Sequence, residues 1–333
     1  KNHSYYQEAH EGLTKLIVEK TEKSAVYQDQ WLRLQNNIGY LYFWNKEYDK
    51  AEAILTKNIL KAKRESNYTA LVVGYRFLSE LYLNLDSLNK IEALLPSYRQ
   101  ALDSLPDSKK KNELNLYHVA LGNLLFKAGK TNEATIEYQK SVADFSFDRR
   151  DRFVAKNFNR LAKSYLEKRR FDEAGITLRH GFRALQMYYP SLLQTTINWS
   201  EENTVAELLE TQTQLYVNKY EQKPSEILID SALMVSNRAL DVYEQMRLKL
   251  ALDGSKILIA ADQRRVVENI LEVIEKKYKK NPKKWLNDSK RFIPLLKNAL
   301  QSDLEVERYF IEKSQSPELI KLLEKIRTLT SVN

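Results

Sequence analysis

The chain has 333 residues, a formal net charge of +9, eight glycines, seven prolines and no cysteine. Without cysteine there is no disulfide framework, no thiol nucleophile and no cysteine-based zinc site. Scarce Gly and Pro, together with apolar residues at helical spacing throughout, predict an all-α protein.

The positive charge is spread over nearly every predicted helix among Glu and Asp. Nucleic-acid binding would require a continuous basic stripe with aromatic platforms, so the composition argues against it. No segment approaches the eighteen or so uninterrupted apolar residues of a membrane span.

Residues 5–20 read as a lone second helix, because Tyr6, Ala9, Leu13 and Ile17 repeat the spacing of Tyr48, Ala51, Leu55 and Ile59. The chain starts at Lys1, which marks it as a processed or excised segment. Four helix hairpins follow, at 29–65, 69–103, 112–145 and 152–189. Each carries a small residue and, twelve positions later, a second small or apolar one: Gly39 with Ala51, Ser79 with Ile91, Gly122 with Ala134, Ala162 with Ala174. Successive pairs step by 40, 43 and 40 residues. A fixed period of this size signals an array in which each unit buries its face against its neighbours. In the third hairpin, Gly122 and Ala134 leave no bulk where the helices cross. Thr131 is the predicted N-cap after the polar turn at Gly129 and Lys130.

Beyond Pro190 the pattern loosens. A fifth hairpin over 202–220 and 225–250 is broken at Lys223-Pro224. Long helices are predicted at 255–280 and 285–303, joined through Lys279-Lys280-Asn281-Pro282-Lys283-Lys284, and a last helix begins near Pro317. The predicted organisation is an array over 1–190, made of a half repeat and four hairpins. Over 191–333 a degenerate hairpin and long C-terminal helices continue it.

The series Ile38-Gly39, Tyr42, Tyr48, Ala51, Leu55 returns as Leu121-Gly122, Leu125, Ala134, Tyr138 and as Leu161-Ala162, Tyr165, Phe171, Ala174, Leu178. It resembles the tetratricopeptide repeat. The second unit fits more loosely, with Leu78, Ser79, Tyr82, Leu88, Ile91 and Leu95 in the same slots. That family repeats every 34 residues or so, and a period near 40 predicts longer helices.

The resemblance implies a right-handed α-solenoid whose first helices line a concave groove for a peptide or partner segment. Carried over slot by slot, the groove takes Arg33, Asn36, Asn37, Tyr40 and Trp44 from the first hairpin and Arg76, Phe77 and Glu80 from the second. The third contributes Asn123 and Lys127, and the fourth Lys156, Asn159, Arg160 and Lys163. Lys156, Arg160 and Lys163 fall on one stripe of a single helix. Asn36, Asn37, Tyr40 and Asn123 bear groups able to hold an extended backbone. Together they point to a protein or peptide with Asp, Glu or a terminal carboxylate. The carboxylate-clamp pattern of the family is not reproduced: Arg76 stands with Phe77 and Glu80, and the third helix offers Leu116, Val119 and Ala120.

A second resemblance lies in the C-terminal third. Ser255-Lys256-Ile257-Leu258, Val266-Val267-Glu268-Asn269-Ile270, Ser289-Lys290, Leu295-Leu296 and Ala299-Leu300 resemble the segment after the repeats in CHAT-type, caspase-like proteins. It implies the repeat arm of such a protease, but without a cysteine the chain cannot supply the nucleophile.

Catalytic signatures are otherwise missing. His3, His10, His118 and His180 have no metal-ligand spacing, and His118 reads as a packing residue. The glycines form no nucleotide loop, and no cofactor is implied. The lysine cluster over 276–284 reads as a solvated join between helices, or a docking patch for an acidic domain or an anionic membrane surface, although it lacks the adjoining apolar face that membrane adsorption needs. The sequence therefore predicts a non-catalytic interaction scaffold, the N-terminal arm of a larger signalling protein. Its competitors are the regulatory arm of a CHAT-type protease and the sensor array of a transcriptional or kinase signalling protein.

Overall fold

The computed structural model describes residues 25–44, 46–148, 150–187, 203–249, 253–279 and 288–290. They are almost entirely helical, and no strand occurs among them. The helices are α1 (Ala25–Trp44), α2 (Tyr48–Arg64), α3 (Tyr68–Asn84), α4 (Leu88–Asp103), α5 (Asp107–Lys127) and α6 (Thr131–Val142). They continue with α7 (Arg152–Glu167), α8 (Phe171–Ala184), α9 (Asn203–Gln222), α10 (Glu226–Lys249) and α11 (Asp253–Tyr278). The chain divides into two compact units, residues 1–146 and 147–333.

The lone helix at 5–20, the boundary at 190 and the helices expected at 285–303 and from Pro317 lie largely or wholly outside the described residues. So do Leu295, Leu296, Ala299 and Leu300 of the second resemblance, whereas its residues 255–270 lie on α11.

In the first unit each helix packs on the next, and the first helices α1, α3 and α5 also pack side by side. One apolar cluster runs through it, from Leu32 and Leu55 through Leu71, Leu81 and Tyr98 to Leu124. The small residues act differently from expectation. The first-helix glycine does not simply face its partner alanine; it receives the bulky residue one turn further on. A Cβ on Gly39 would sit 2.6 Å from Leu55 Cγ, and one on Gly122 would sit 2.7 Å from Tyr138 Cε1. Ala51 and Ala134 are themselves fully buried.

A buried amide ladder crosses the first three helices. Asn58 Nδ2 donates to Leu32 O (2.8 Å) and Asn36 Oδ1 (2.7 Å), while Asn36 Nδ2 donates to Ala70 O (2.9 Å). Each bond satisfies a polar group that would otherwise be buried unpaired.

The second unit holds the α7–α8 hairpin, with α9 against both helices and α10 and α11 following in turn. Asp151 caps α7, accepting from Phe153 N (3.0 Å) and Val154 N (3.1 Å). Gly181 admits Leu208, whose Cδ2 would lie 2.7 Å from an added Cβ. Across α9, α10 and α11, Glu210 takes both Arg265 Nε (2.8 Å) and Nη2 (3.0 Å) and the Tyr243 hydroxyl (3.0 Å).

Six turns close in one way. Residue Lys46, Ser66, Asp86, Gly129, Arg169 or Gln186 takes a positive φ of 52–74°. The next N–H then reaches back five residues: Glu47 to Tyr42, Asn67 to Ala62, Ser87 to Tyr82, Lys130 to Leu125, Arg170 to Tyr165 and Met187 to Phe182, all at 2.8–2.9 Å. This is the Schellman closure. Lys130, not Thr131, is the N-cap of α6, and no side chain caps it. Thr131 is the first helical residue, one position too late for that role.

Candidate functional site

The expected groove residues fall in both units and are placed here within each. In the first unit, Asn36 does not line a groove. It is 0 % exposed, and both ends of its amide are used in the ladder linking α1, α2 and α3. Asn37, its neighbour, is exposed. Tyr40 is half-buried and stacks on the buried Phe77 at 4.2 Å with 12° between the rings. Trp44 ends α1, and its side chain lies outside the described residues.

The expected groove cations of this unit are already engaged. Arg33 Nε meets Asp29 Oδ2 at 2.9 Å, Arg76 Nη1 meets Glu113 Oε2 at 3.0 Å, and Lys127 Nζ meets Asp86 Oδ1 at 2.8 Å. Asn123 Oδ1 accepts from the Tyr138 hydroxyl at 2.8 Å. Glu80, half-buried on α3, makes no ion pair among the described residues.

Two residues absent from the sequence expectation complete this face. Glu113, on α5, is the counter-ion of Arg76, with side-chain exposures of 21 % and 20 %. Tyr98, from α4, is fully buried, edge-on to Tyr117 at 5.2 Å, and its hydroxyl has no hydrogen-bond partner. Burial pushes that hydroxyl well above the usual phenol range; Arg76 works against the shift, and Glu113, Glu80 and Tyr117 add to it.

In the second unit, α7 carries the expected stripe. Lys163 is exposed, and Arg160 is half-buried and donates to Asn157 Oδ1 at 3.0 Å. Lys156 is drawn to Glu207 Oε1 of α9 at 3.7 Å. Asn159 is 3 % exposed and therefore faces the interior rather than a groove, and its Oδ1 has no hydrogen-bond partner.

His118, expected as a packing residue, is hydrogen-bonded instead: its Nδ1 lies 2.6 Å from Glu137 Oε2 between α5 and α6. Burial raises the Glu137 carboxyl, but hydrogen bonds from Lys140 and His118 hold it below its ordinary range. His180 packs against Phe147 and Phe158. Of the lysine cluster, Lys276 and Lys277 belong to the last turn of α11, not to a join. Lys276 pairs with Glu221 at 2.7 Å, and Lys277 pairs with Asp230. Residues 280–284 lie outside the described residues.

A cleft of about 400 Å³ opens where the α2–α3 and α4–α5 turns meet the start of α1, lined by Asp29, Glu65, Asn67, Thr69 and Ser104. None of the expected groove residues lines it. Among the described residues, no group of three or more His, Asp or Glu side chains is placed to hold a metal ion. None of the described helices is long and apolar enough to cross a membrane.

No family model matches the chain, and no curated protein matches it. Among solved structures it is similar to the crystal structure of BtubC (BKLC) from P. vanneervenii. The TM-score is 0.54 and the identity 17 %, with 78 % of this chain and 92 % of that one covered. At that identity the likeness is one of fold: an all-α array of helix hairpins.

Proposed function

We propose that the chain is a non-catalytic scaffold of tetratricopeptide type that captures an acidic segment of a partner protein on α7. The observation that carries this reading is the state of two cations on one helix face. Arg160 is held in place by an amide rather than a carboxylate, and Lys163 projects from the same stripe exposed and without an ion pair among the described residues. A carboxylate arriving there gains charge-assisted hydrogen bonds without first breaking an internal salt bridge. Lys156 supports the stripe at one end while leaning on Glu207.

The experiment uses the intact chain and a fluorescein-labelled peptide of alternating Asp and Gly, followed by anisotropy. The double substitution Arg160→Glu with Lys163→Glu weakens binding by about tenfold or more, since each reversal replaces attraction with repulsion. The helical circular-dichroism signal stays intact, because neither charge closes an internal ion pair. Unchanged affinity in the double variant removes α7 as the site.

A further inference from the structure

Among the expected groove residues of the first unit, the charge without an ion pair has the opposite sign. Arg33, Arg76 and Lys127 each meet a carboxylate, whereas Glu80 has no ion pair among the described residues. Glu80 follows Arg76 and Phe77 by one turn of α3, so the three share a face. Arg76 reaches Glu113 through a single nitrogen, Nη1, at 3.0 and 3.4 Å from the two carboxylate oxygens. That geometry leaves the fork of the guanidinium unmatched, and Glu113 retains acceptor capacity.

The Tyr98 ring reaches from α4 between Tyr75 of α3, at 6.1 Å, and Tyr117 of α5, at 5.2 Å, the two helices that carry Arg76 and Glu113, and its hydroxyl is buried without a hydrogen-bond partner. A tally of the cluster shows what it lacks. Both carboxylates and the phenolic oxygen accept hydrogen bonds, and Arg76 is the single cationic donor among them. Beside them lies a flat apolar wall, the stacked rings of Tyr40 and Phe77. The wall already accommodates a guanidinium, since Arg76 Cζ sits 5.0 Å from the Phe77 ring centroid.

We propose that this face of the first unit binds an arginine side chain of a partner polypeptide. Glu80 and Glu113 take its N–H groups, the Tyr98 oxygen gains the donor it lacks, and the Tyr40–Phe77 stack flanks the guanidinium plane. Arginine suits the site better than lysine: it is planar, offers five N–H donors in a fixed fork, stacks on aromatic faces and is weakly hydrated. A polypeptide is the fitting source because α1, α3 and α5 pack side by side into a continued surface. The exposed amide of Asn37 lies on α1 one turn before Tyr40, ready for main-chain groups. This site is independent of the α7 reading, being in the other unit and opposite in sign.

The test titrates the intact chain with a fluorescein-labelled Gly-Arg-Gly-Arg-Gly peptide at physiological ionic strength, beside its lysine and citrulline counterparts. The arginine peptide is expected to bind, the lysine peptide about threefold more weakly, and the citrulline peptide not measurably. Glu80→Gln lowers the affinity for the arginine peptide by about tenfold, and Tyr98→Phe lowers it by about threefold. Glu133→Gln, which removes an exposed carboxylate of α6, leaves it unchanged. Equal losses in Glu80→Gln and Glu133→Gln would reduce the effect to diffuse attraction and overturn the proposal. So would a citrulline peptide that binds as well as the arginine one, or no binding of any of the three at millimolar concentration.

Discussion

Asn36 and Asn159 occupy the same slot of their hairpins, three residues before Gly39 and Ala162, and both are buried. Their surroundings differ. Asn36 accepts from Asn58 and donates to Ala70 O, so its amide ties α1 to α2 and α3. Asn159 has an oxygen buried with nothing to accept from. Equal residues in equal slots thus do unequal work, because what matters is the residue each amide meets on the neighbouring helix. The same holds for the charges. Arg33, Arg76 and Lys127 of the first unit sit opposite carboxylates, whereas Arg160 and Lys163 on α7 do not.

The largest effect expected from this contrast is on stability. Asn36→Ala removes two buried hydrogen bonds, leaves one N–H of the Asn58 amide without its acceptor and lowers the stability of the first unit by about 3 kcal/mol. Asn159→Ala, which breaks no hydrogen bond, lowers that of the second by about 1 kcal/mol or less. Urea denaturation read together with hydrogen exchange in each unit checks this, and equal losses would break the comparison.

Next comes the small first-helix residue. Gly122→Ala gives the first unit the residue that the second natively carries at Ala162. It still costs about 2 kcal/mol, because the Tyr138 ring stands where the new methyl must go. Thermal denaturation of the single variant is sufficient to see it.

A smaller and opposite change is expected at Tyr98. Tyr98→Phe deletes a buried hydroxyl that has no partner and raises stability by about 1 kcal/mol, even as it weakens binding of the arginine peptide. A stability gain with unchanged binding would separate the hydroxyl from the proposed site. The smallest effect is in a turn: Arg169→Gly relieves a left-handed residue at φ 55° and adds about 0.5–1 kcal/mol, visible as a higher urea midpoint.

Much of the fold was legible in the sequence because helical periodicity and the twelve-residue pairs report directly on burial. Ala51, Ala134, Ala162 and Ala174 are all fully buried, as their spacing requires. The turns were less legible. Gly129 announces its positive φ, but Lys46, Ser66, Asp86, Arg169 and Gln186 adopt the same conformation without any residue signal.

The candidate site was legible only by helix face. Transfer by slot placed Arg76 and Lys127 correctly on their helices but said nothing of what they meet. Glu113 lies 37 residues from Arg76, and Asp86 lies 41 from Lys127, each close to one repeat away. Opposite charges separated by about one period were the signal that would have found both. No comparable signal points to Tyr98, whose part depends on a second-helix ring reaching between two first helices.

The turn closures have a consequence for ancestry. The bond that shuts each of these six turns runs between main-chain atoms, and its left-handed residue is Lys, Ser, Asp, Gly, Arg or Gln. Mutation can therefore rewrite these connectors while the hairpins keep their pitch. A chain built this way drifts away from recognisable sequence patterns long before its architecture changes. That is how a fold can be shared with a solved structure at 17 % identity while no family model matches.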